Sequence, residues 1–153
     1  MKITIAAIGK AKSSDATSKL FAEYLKRIPW KSDLIELEEK KPLPDNILKE
    51  KEAKKLLQTA PKGGKIIALD ERGKNISSRE LANKIESWQD EGASNITFLI
   101  GGAAGHGEEV RKEADLLLSF GKLTWPHMMV RSMLAEQIYR ISTILSGHPY
   151  HKD

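Results

Sequence analysis

All four histidines of this chain lie beyond residue 105. His127 follows a proline at the predicted start of a helix, and His148 and His151 belong to the aromatic and basic segment 148–153. A neutral imidazole can accept a proton, and aromatic and basic side chains can contact a base or a phosphate. No spacing resembles a histidine ligand pair on one helix face, so a metal site is not favoured. We expect segment 148–153 to act on a bound partner.

A second candidate for chemistry is the segment 101–107, which contains four of the eleven glycines. It directly follows the apolar run 95–100. Ligands of open parallel sheets bind at the carboxyl ends of strands, and glycine allows a ligand to approach the backbone. The segment lacks the Gly-Lys-Ser/Thr ending of a phosphate loop and does not follow the first strand, which disfavours a Rossmann-type cofactor site. A tight turn from strand to helix is the alternative interpretation.

Strand and helix patterns alternate along the whole chain. They predict one α/β domain over residues 1–153, with a mostly parallel sheet between helix layers. The loops after the third, fourth and fifth strands should then meet at one edge of the sheet. The predicted strands lie at 2–8, 34–37, 66–69, 95–100 and 116–120, and the predicted helices at about 15–28, 46–60, 78–91, 107–114 and 126–146.

The last predicted helix, 126–146, is apolar over more than one face. In a small domain this pattern predicts a subunit interface as well as a core face. Glu136 and Arg140 have the spacing of an ion pair within the helix. Arg131, one turn from the helix start, is a candidate for contacting an anion.

The composition sets further limits. The chain carries 25 Lys and Arg against 21 Asp and Glu, a net charge of +4, which permits an RNA partner without requiring one. It contains no cysteine, which excludes disulfides, zinc ribbons and thiolate nucleophiles. No apolar run approaches the ~20 residues of a membrane span, and no signal peptide is visible, so we expect a cytoplasmic protein without membrane association.

Taken together, six segments resemble the ribosomal large subunit methyltransferase H family, the 23S rRNA pseudouridine N3-methyltransferases of the SPOUT class. The resemblance extends over the whole chain. The segments are Leu-Asp-Glu-Arg-Gly at 69–73, Phe-Leu-Ile-Gly-Gly at 98–102, Leu-Ser-Phe-Gly-Lys-Leu-Thr-Trp-Pro-His at 118–127, Arg131, Ala-Glu-Gln-Ile-Tyr-Arg at 135–140 and His-Pro-Tyr-His-Lys at 148–152.

This resemblance implies a SPOUT fold with a C-terminal trefoil knot within about 66–153, and a homodimer in which the tail of one subunit completes the site of the other. It implies a pseudouridine of 23S rRNA, in the large ribosomal subunit or ribosome, as substrate. It also implies that S-adenosylmethionine binds in the knotted loops. The matching cofactor positions are Leu69, Gly101, Phe120, Gly121, Lys122, Leu123, Thr124 and Trp125.

The chemistry of the residues agrees with such a reaction. The absence of cysteine disfavours methylation at pyrimidine C5, which commonly begins with thiolate attack, whereas transfer to a nitrogen needs no covalent enzyme intermediate. With a net charge of only +4, we expect recognition of an assembled ribosomal surface and weak activity on naked RNA. The residues do not identify the general base. The residues expected around the acceptor are His127, Arg131, Tyr150, His151 and Lys152, with Arg131 and Lys152 holding anionic RNA.

Two segments, the glycine loop and the terminal segment, depart from the pattern of many relatives. Ala103 and Ala104 follow the Gly pair where Pro or Ser is common, and Lys152 replaces a planar Arg fork by a point charge. Two alternatives also remain. One is another SPOUT activity, such as ribose 2′-O- or guanine N1-methylation of tRNA, and the other is a non-catalytic ribosome-binding factor.

Overall fold

The structure, a computed structural model, describes residues 1–153. Five strands alternate with five helices, as the sequence patterns predict. The strands are β1 (Lys2–Ile8), β2 (Lys31–Leu37), β3 (Lys65–Lys74), β4 (Asn95–Ile100) and β5 (Leu116–Leu118), and the helices are α1 (Ala16–Arg27), α2 (Asp45–Gln58), α3 (Ser78–Asp90), α4 (Glu108–Glu113) and α5 (His127–Ser146).

The strands form one parallel sheet in the order β2-β1-β4-β3-β5. Alternating residues of the inner strands belong to two separate apolar clusters, one on each face: Ile5 of β1 packs in the larger cluster and Ala6 in the smaller. The larger cluster includes side chains of α1, α3 and α5, and the smaller includes those of α2 and α4. The predicted α/β class, with a parallel sheet between helix layers, is confirmed.

Three strands differ from the sequence prediction by two or more residues at one end. Strand β2 begins at Lys31 rather than at residue 34. Strand β3 continues past Leu69 to Lys74, where a register shift lets Lys74 pair with Leu118. Strand β5 ends at Leu118 rather than at Phe120, because the chain turns there. In that turn the Ser119 hydroxyl donates to the carbonyl of Gly121 at 3.0 Å and accepts from its N–H at 3.1 Å.

The start of α3 has a capping box. The hydroxyl of Ser77 accepts a hydrogen bond from the N–H of Glu80 at 3.1 Å, and the Glu80 carboxylate accepts from the N–H of Ser77 at 2.7 Å. These two bonds satisfy two of the N–H groups that a helix start leaves free. None of the helices combines the length and apolar character needed to cross a bilayer.

Candidate active site

A cavity of about 750 Å³ opens at the carboxyl edge of the sheet. The segments after β4 and β5 meet there, as predicted, and the third wall is the continuing strand β3 rather than a loop. Seven of the eight positions predicted to contact a cofactor line this cavity, and Lys122 does not. The seven are Leu69, Gly101, Phe120, Gly121, Leu123, Thr124 and Trp125.

The loop 119–126 that forms one wall holds its shape by local bonds. Gly121 has φ +98°, a conformation that favours glycine. The Trp125 indole N–H donates to the carbonyl of Phe120 at 3.2 Å and closes the loop. Leu123 and Trp125 remain 73% and 37% exposed, so this wall presents apolar surface that a bound molecule could cover.

The opposite wall is the glycine segment after β4. A Cβ on Gly101 would lie 3.1 Å from the Nδ1 of His106, and a Cβ on Gly102 would lie 3.0 Å from Ile8 and 3.2 Å from the Glu52 carboxylate. The N–H of Gly105 also bonds to the carbonyl of Gly102 at 2.9 Å. The glycines therefore form a tight turn that lines the cavity, and the approach of a ligand to their backbone stays a prediction.

His127 and Arg131 stand together where α5 begins beside the cavity. The Arg131 Nε donates to the Nε2 of His127 at 3.1 Å, and its Nη1 donates to a carboxylate oxygen of Glu36 at 2.6 Å. The Arg131 side chain is only 2% exposed. The guanidinium is therefore bonded to partners within its own chain, and the expected RNA contact of Arg131 stays a prediction.

The imidazole of His127 is held neutral. Burial lowers its pKa, the adjacent Arg131 charge lowers it further, and a hydrogen bond with the backbone of Gly101 opposes both. An arginine Nε can only donate, so the Nε2 of His127 accepts and its proton lies on Nδ1. The lone pair that could take a proton from a substrate is therefore already in use.

Asp70, which lines the cavity beside the exposed Glu71, is already bonded to Arg72. The Asp70 carboxylate accepts from the Nε and Nη2 of Arg72, both at 3.1 Å, and from the Arg72 N–H at 2.9 Å. Burial alone would raise the pKa of Asp70, but the Arg72 hydrogen bonds and charge outweigh it and lower the pKa. Neither Asp70 nor His127 is a free general base.

The terminal residues lie away from the cavity of their own chain. Tyr150 bonds to Glu136, which is nine residues beyond His127 and about 13 Å further along α5. The Nδ1 of His151 lies 3.2 Å from the Nη1 of Arg140, and Lys152 is exposed. Within one chain the five residues expected around the acceptor therefore form two groups: His127 and Arg131 at the cavity, and Tyr150, His151 and Lys152 on the middle of α5.

Comparison with known proteins shows which family this chain resembles. A family described as "Predicted SPOUT methyltransferase" matches residues 1–151. A protein of Paramagnetospirillum magneticum named ribosomal RNA large subunit methyltransferase H is 51% identical over 152 residues, covering 99% of each chain. Its namesake in Rhodospirillum centenum is 49% identical over the same length and coverage. This chain belongs to the ribosomal RNA large subunit methyltransferase H family of SPOUT methyltransferases.

The fold of this SPOUT methyltransferase also has a solved counterpart. A probable methylase family protein from Haemophilus influenzae Rd KW20 aligns with a TM-score of 0.55 at 13% identity, covering 99% of this chain and 70% of the other. At that identity the likeness concerns the fold alone.

Three polar residues of this methyltransferase, the half-buried Glu36 and the buried Glu52 and His106, were not identified as site residues from the sequence. Glu36 bonds to Arg131, Glu52 lies under Gly102, and His106 lies under Gly101 with its Nδ1 unpartnered. The signal for Glu36 was available, since it interrupts the apolar run 34–37. Glu52 lies within a helix rich in Lys and Glu, where nothing in the pattern distinguishes a buried carboxylate from exposed ones. No group of three or more acidic or histidine side chains could hold a metal ion.

Proposed function

We propose that this chain transfers a methyl group from S-adenosylmethionine to N3 of a pseudouridine in 23S rRNA, on the assembled large subunit or ribosome. The observation that carries the proposal is the match of 51% identity over 99% of both chains to a protein named ribosomal RNA large subunit methyltransferase H. The alternatives from the sequence are another SPOUT activity on tRNA and a non-catalytic ribosome-binding role, and no observation favours them.

The cavity suits such a donor on three grounds. S-adenosylmethionine has no phosphates, so its site needs apolar surface and backbone groups rather than clustered lysines. The cavity offers Leu69, Leu123 and Trp125 for the adenine and the backbone of Gly101 and Gly121 for polar contacts. Its volume of about 750 Å³ lies within the range usual for small-molecule sites.

In the reaction, one N–CH₃ bond forms as the methyl–sulfur bond breaks and releases S-adenosylhomocysteine, and the N3 proton passes to solvent water. The chain's own contribution is to align donor and acceptor, since the sulfonium already activates the methyl group. His127 cannot take the proton through Nε2, which accepts from Arg131. We therefore place the groups that stabilise the N3 anion on the terminal segment, with Lys152 as the cation and Tyr150 as a stacking or hydrogen-bonding partner.

We propose that the active form is a homodimer in which the terminal segment of one subunit contacts the cavity of the other. Tyr150, His151 and Lys152 do not line the cavity of their own chain, so the site is incomplete in a monomer. A groove of about 690 Å³ between α1, α3 and α5 supports this arrangement. The groove exposes Leu20 and Met129, and Phe120 lines both groove and cavity, which makes the two continuous. We propose a second copy of this chain as its occupant.

The proposed fold has one SPOUT domain over 1–153 with a trefoil knot within about 66–153. Segments 101–107 and 119–126 lie side by side and both line the cavity, which supports a knotted course of the chain there.

The deciding experiment is methyl incorporation into ribosomes from a strain lacking the modification, followed by mass spectrometry of the nucleosides. We expect 3-methylpseudouridine on ribosomes or large subunits, and weak incorporation into naked 23S rRNA. A methylated tRNA nucleoside instead would support another SPOUT activity. Calorimetry with S-adenosylmethionine that shows no binding would support a non-catalytic factor.

A further inference from the structure

Glu36 is an acidic residue on a strand that contributes no residue to the lining of the cavity. It lies on β2, the edge strand beside β1, and 95 residues separate it from Arg131. One oxygen of its carboxylate accepts from the Nη1 of Arg131 at 2.6 Å and from the N–H of Ala11 at 2.7 Å. The carboxylate thus joins the loop after β1 to the start of α5.

Arg131 distributes its donors over three elements. Its Nη1 bonds to Glu36 on β2, its Nη2 donates to the carbonyl of Gly9 at the end of β1 at 3.1 Å, and its Nε donates to the Nε2 of His127. A guanidinium is planar, so fixing Nη1 and Nη2 also fixes the direction of Nε. The bond to Glu36 therefore fixes the position at which the Nε2 of His127 can accept a hydrogen bond from the Nε of Arg131.

We propose that Glu36 is a positioning residue of the donor cavity: through Arg131 it fixes the imidazole of His127, as the Nδ1–H tautomer, against the Gly101 wall. The proposal rests on the function above only in taking the cavity as the site of S-adenosylmethionine. Glu36 itself does not line the cavity and touches no substrate.

The charge of Glu36 matters as well as its geometry. Burial alone would raise the pKa of Glu36, but the bonds from Arg131 and Ala11 and the charges of Arg131 and Lys10 outweigh it and lower the pKa. Glu36 is therefore ionised at neutral pH and neutralises a guanidinium that has no other carboxylate within ion-pair distance. Arg131 is buried, so the loss of Glu36 leaves its charge uncompensated, and Arg131 should then move toward water.

The test uses Glu36→Ala, Glu36→Gln and the control Glu38→Ala. Glu38 is exposed two residues further along, and its replacement removes the same charge without touching Arg131. The first readout is the ¹⁵N spectrum of the His127 imidazole, which distinguishes the two tautomers. The second is the Kd of the inert product S-adenosylhomocysteine, measured by calorimetry.

In Glu36→Ala we expect a tautomer mixture at His127 and a Kd about tenfold higher, because the glycine wall loses its support. In Glu36→Gln the amide oxygen still accepts from Arg131 and Ala11, so the Nδ1–H tautomer should persist and the Kd should rise about threefold. Glu38→Ala should match the wild type in both readouts.

An unchanged tautomer in Glu36→Ala, or a Kd within twofold of wild type, overturns the proposal. If Glu36→Ala does not fold, Glu36→Gln decides: the Nδ1–H tautomer with weaker binding supports the proposal, and wild-type affinity overturns it. The tautomer readout requires neither methyl transfer nor a bound donor. A wild-type protein that fails to methylate ribosomes would therefore refute the proposed function without deciding the role of Glu36.

Discussion

The hydroxyl of Tyr150 donates a hydrogen bond to the carboxylate of Glu136 at 2.9 Å, which anchors the terminal segment on the middle of α5. The same carboxylate oxygen accepts from the Nε of Arg140 at 3.0 Å, as the spacing of the two residues predicts. The Arg140 guanidinium lies 4.8 Å from the centre of the Tyr150 ring. Burial and hydrogen bonds with Tyr24 and Glu136 raise the pKa of Tyr150, so its hydroxyl stays protonated and can donate.

The first prediction concerns the two residues after this anchor. Replacing His151 and Lys152 together by Ala should lower kcat for methyl transfer at least about tenfold, because a positioned charge at the acceptor is lost. The Kd for S-adenosylmethionine should stay within twofold, since neither residue lines the donor cavity of its own chain. Steady-state assays on ribosomes and calorimetry measure the two quantities. With His148→Ala as the control within the segment, unchanged transfer in the double variant would remove the terminal segment from the site.

The second prediction tests whether the terminal segment acts across the dimer. One subunit lacks residues 148–153, and the other carries Gly121→Val, which strains a loop whose glycine has φ +98°. Each homodimer should be inactive, because every site in it lacks either a donor loop or a terminal segment. The mixed dimer, purified with two different tags, should have about half of wild-type activity, since one intact cavity meets one intact segment. Background activity in the mixed dimer would instead indicate that each chain uses its own segment.

The local pattern of the sequence predicted all ten elements, and the resemblance to the family implied seven of the positions that line the cavity. Apolar runs and the Ser77–Glu80 capping box depend on neighbouring residues, so they can be read without the fold. The continuation of β3 to Lys74 could not be predicted from neighbouring residues, because it depends on pairing with Leu118, 44 residues later. The same holds for the ion pair of Glu36 with Arg131, which only the packing of β2 against α5 brings together.

The third prediction concerns that continuation of β3. A Cβ on Gly73 would lie 2.6 Å from the carbonyl carbon and oxygen of Leu117 and 2.8 Å from the backbone N of Leu118. All three atoms are backbone, so Gly73→Ala must push β3 and β5 apart. We expect the free energy of unfolding to fall by about 3 kcal/mol in a urea titration. Lys74→Ala, at the exposed neighbour, should change it by less than about 0.5 kcal/mol. Equal stability of the two variants would contradict the close packing.

The last prediction concerns His106, which is 6% exposed beneath Gly101. Burial lowers its pKa from the ordinary 6.5, while its contact with the carbonyl of Leu99 and the charge of Asp70 oppose the shift. Below pH 6.5 the unfolded chain therefore binds a proton that the folded chain refuses, so stability falls as the pH falls through this range.

Between pH 7.5 and 5.5 one such histidine costs the wild type up to about 1.4 kcal/mol of unfolding free energy. The variant His106→Gln can still donate to the Leu99 carbonyl but does not titrate. Its unfolding free energy should therefore fall less over the same pH range, by up to about 1.4 kcal/mol. Urea titrations of both proteins at the two pH values measure the difference. The two proteins share the other titrating groups with shifted pKa values, such as His127, Glu36 and Glu52. The contributions of these groups to the pH dependence of the unfolding free energy therefore cancel. Parallel pH dependences would show that His106 takes up its proton in the folded chain.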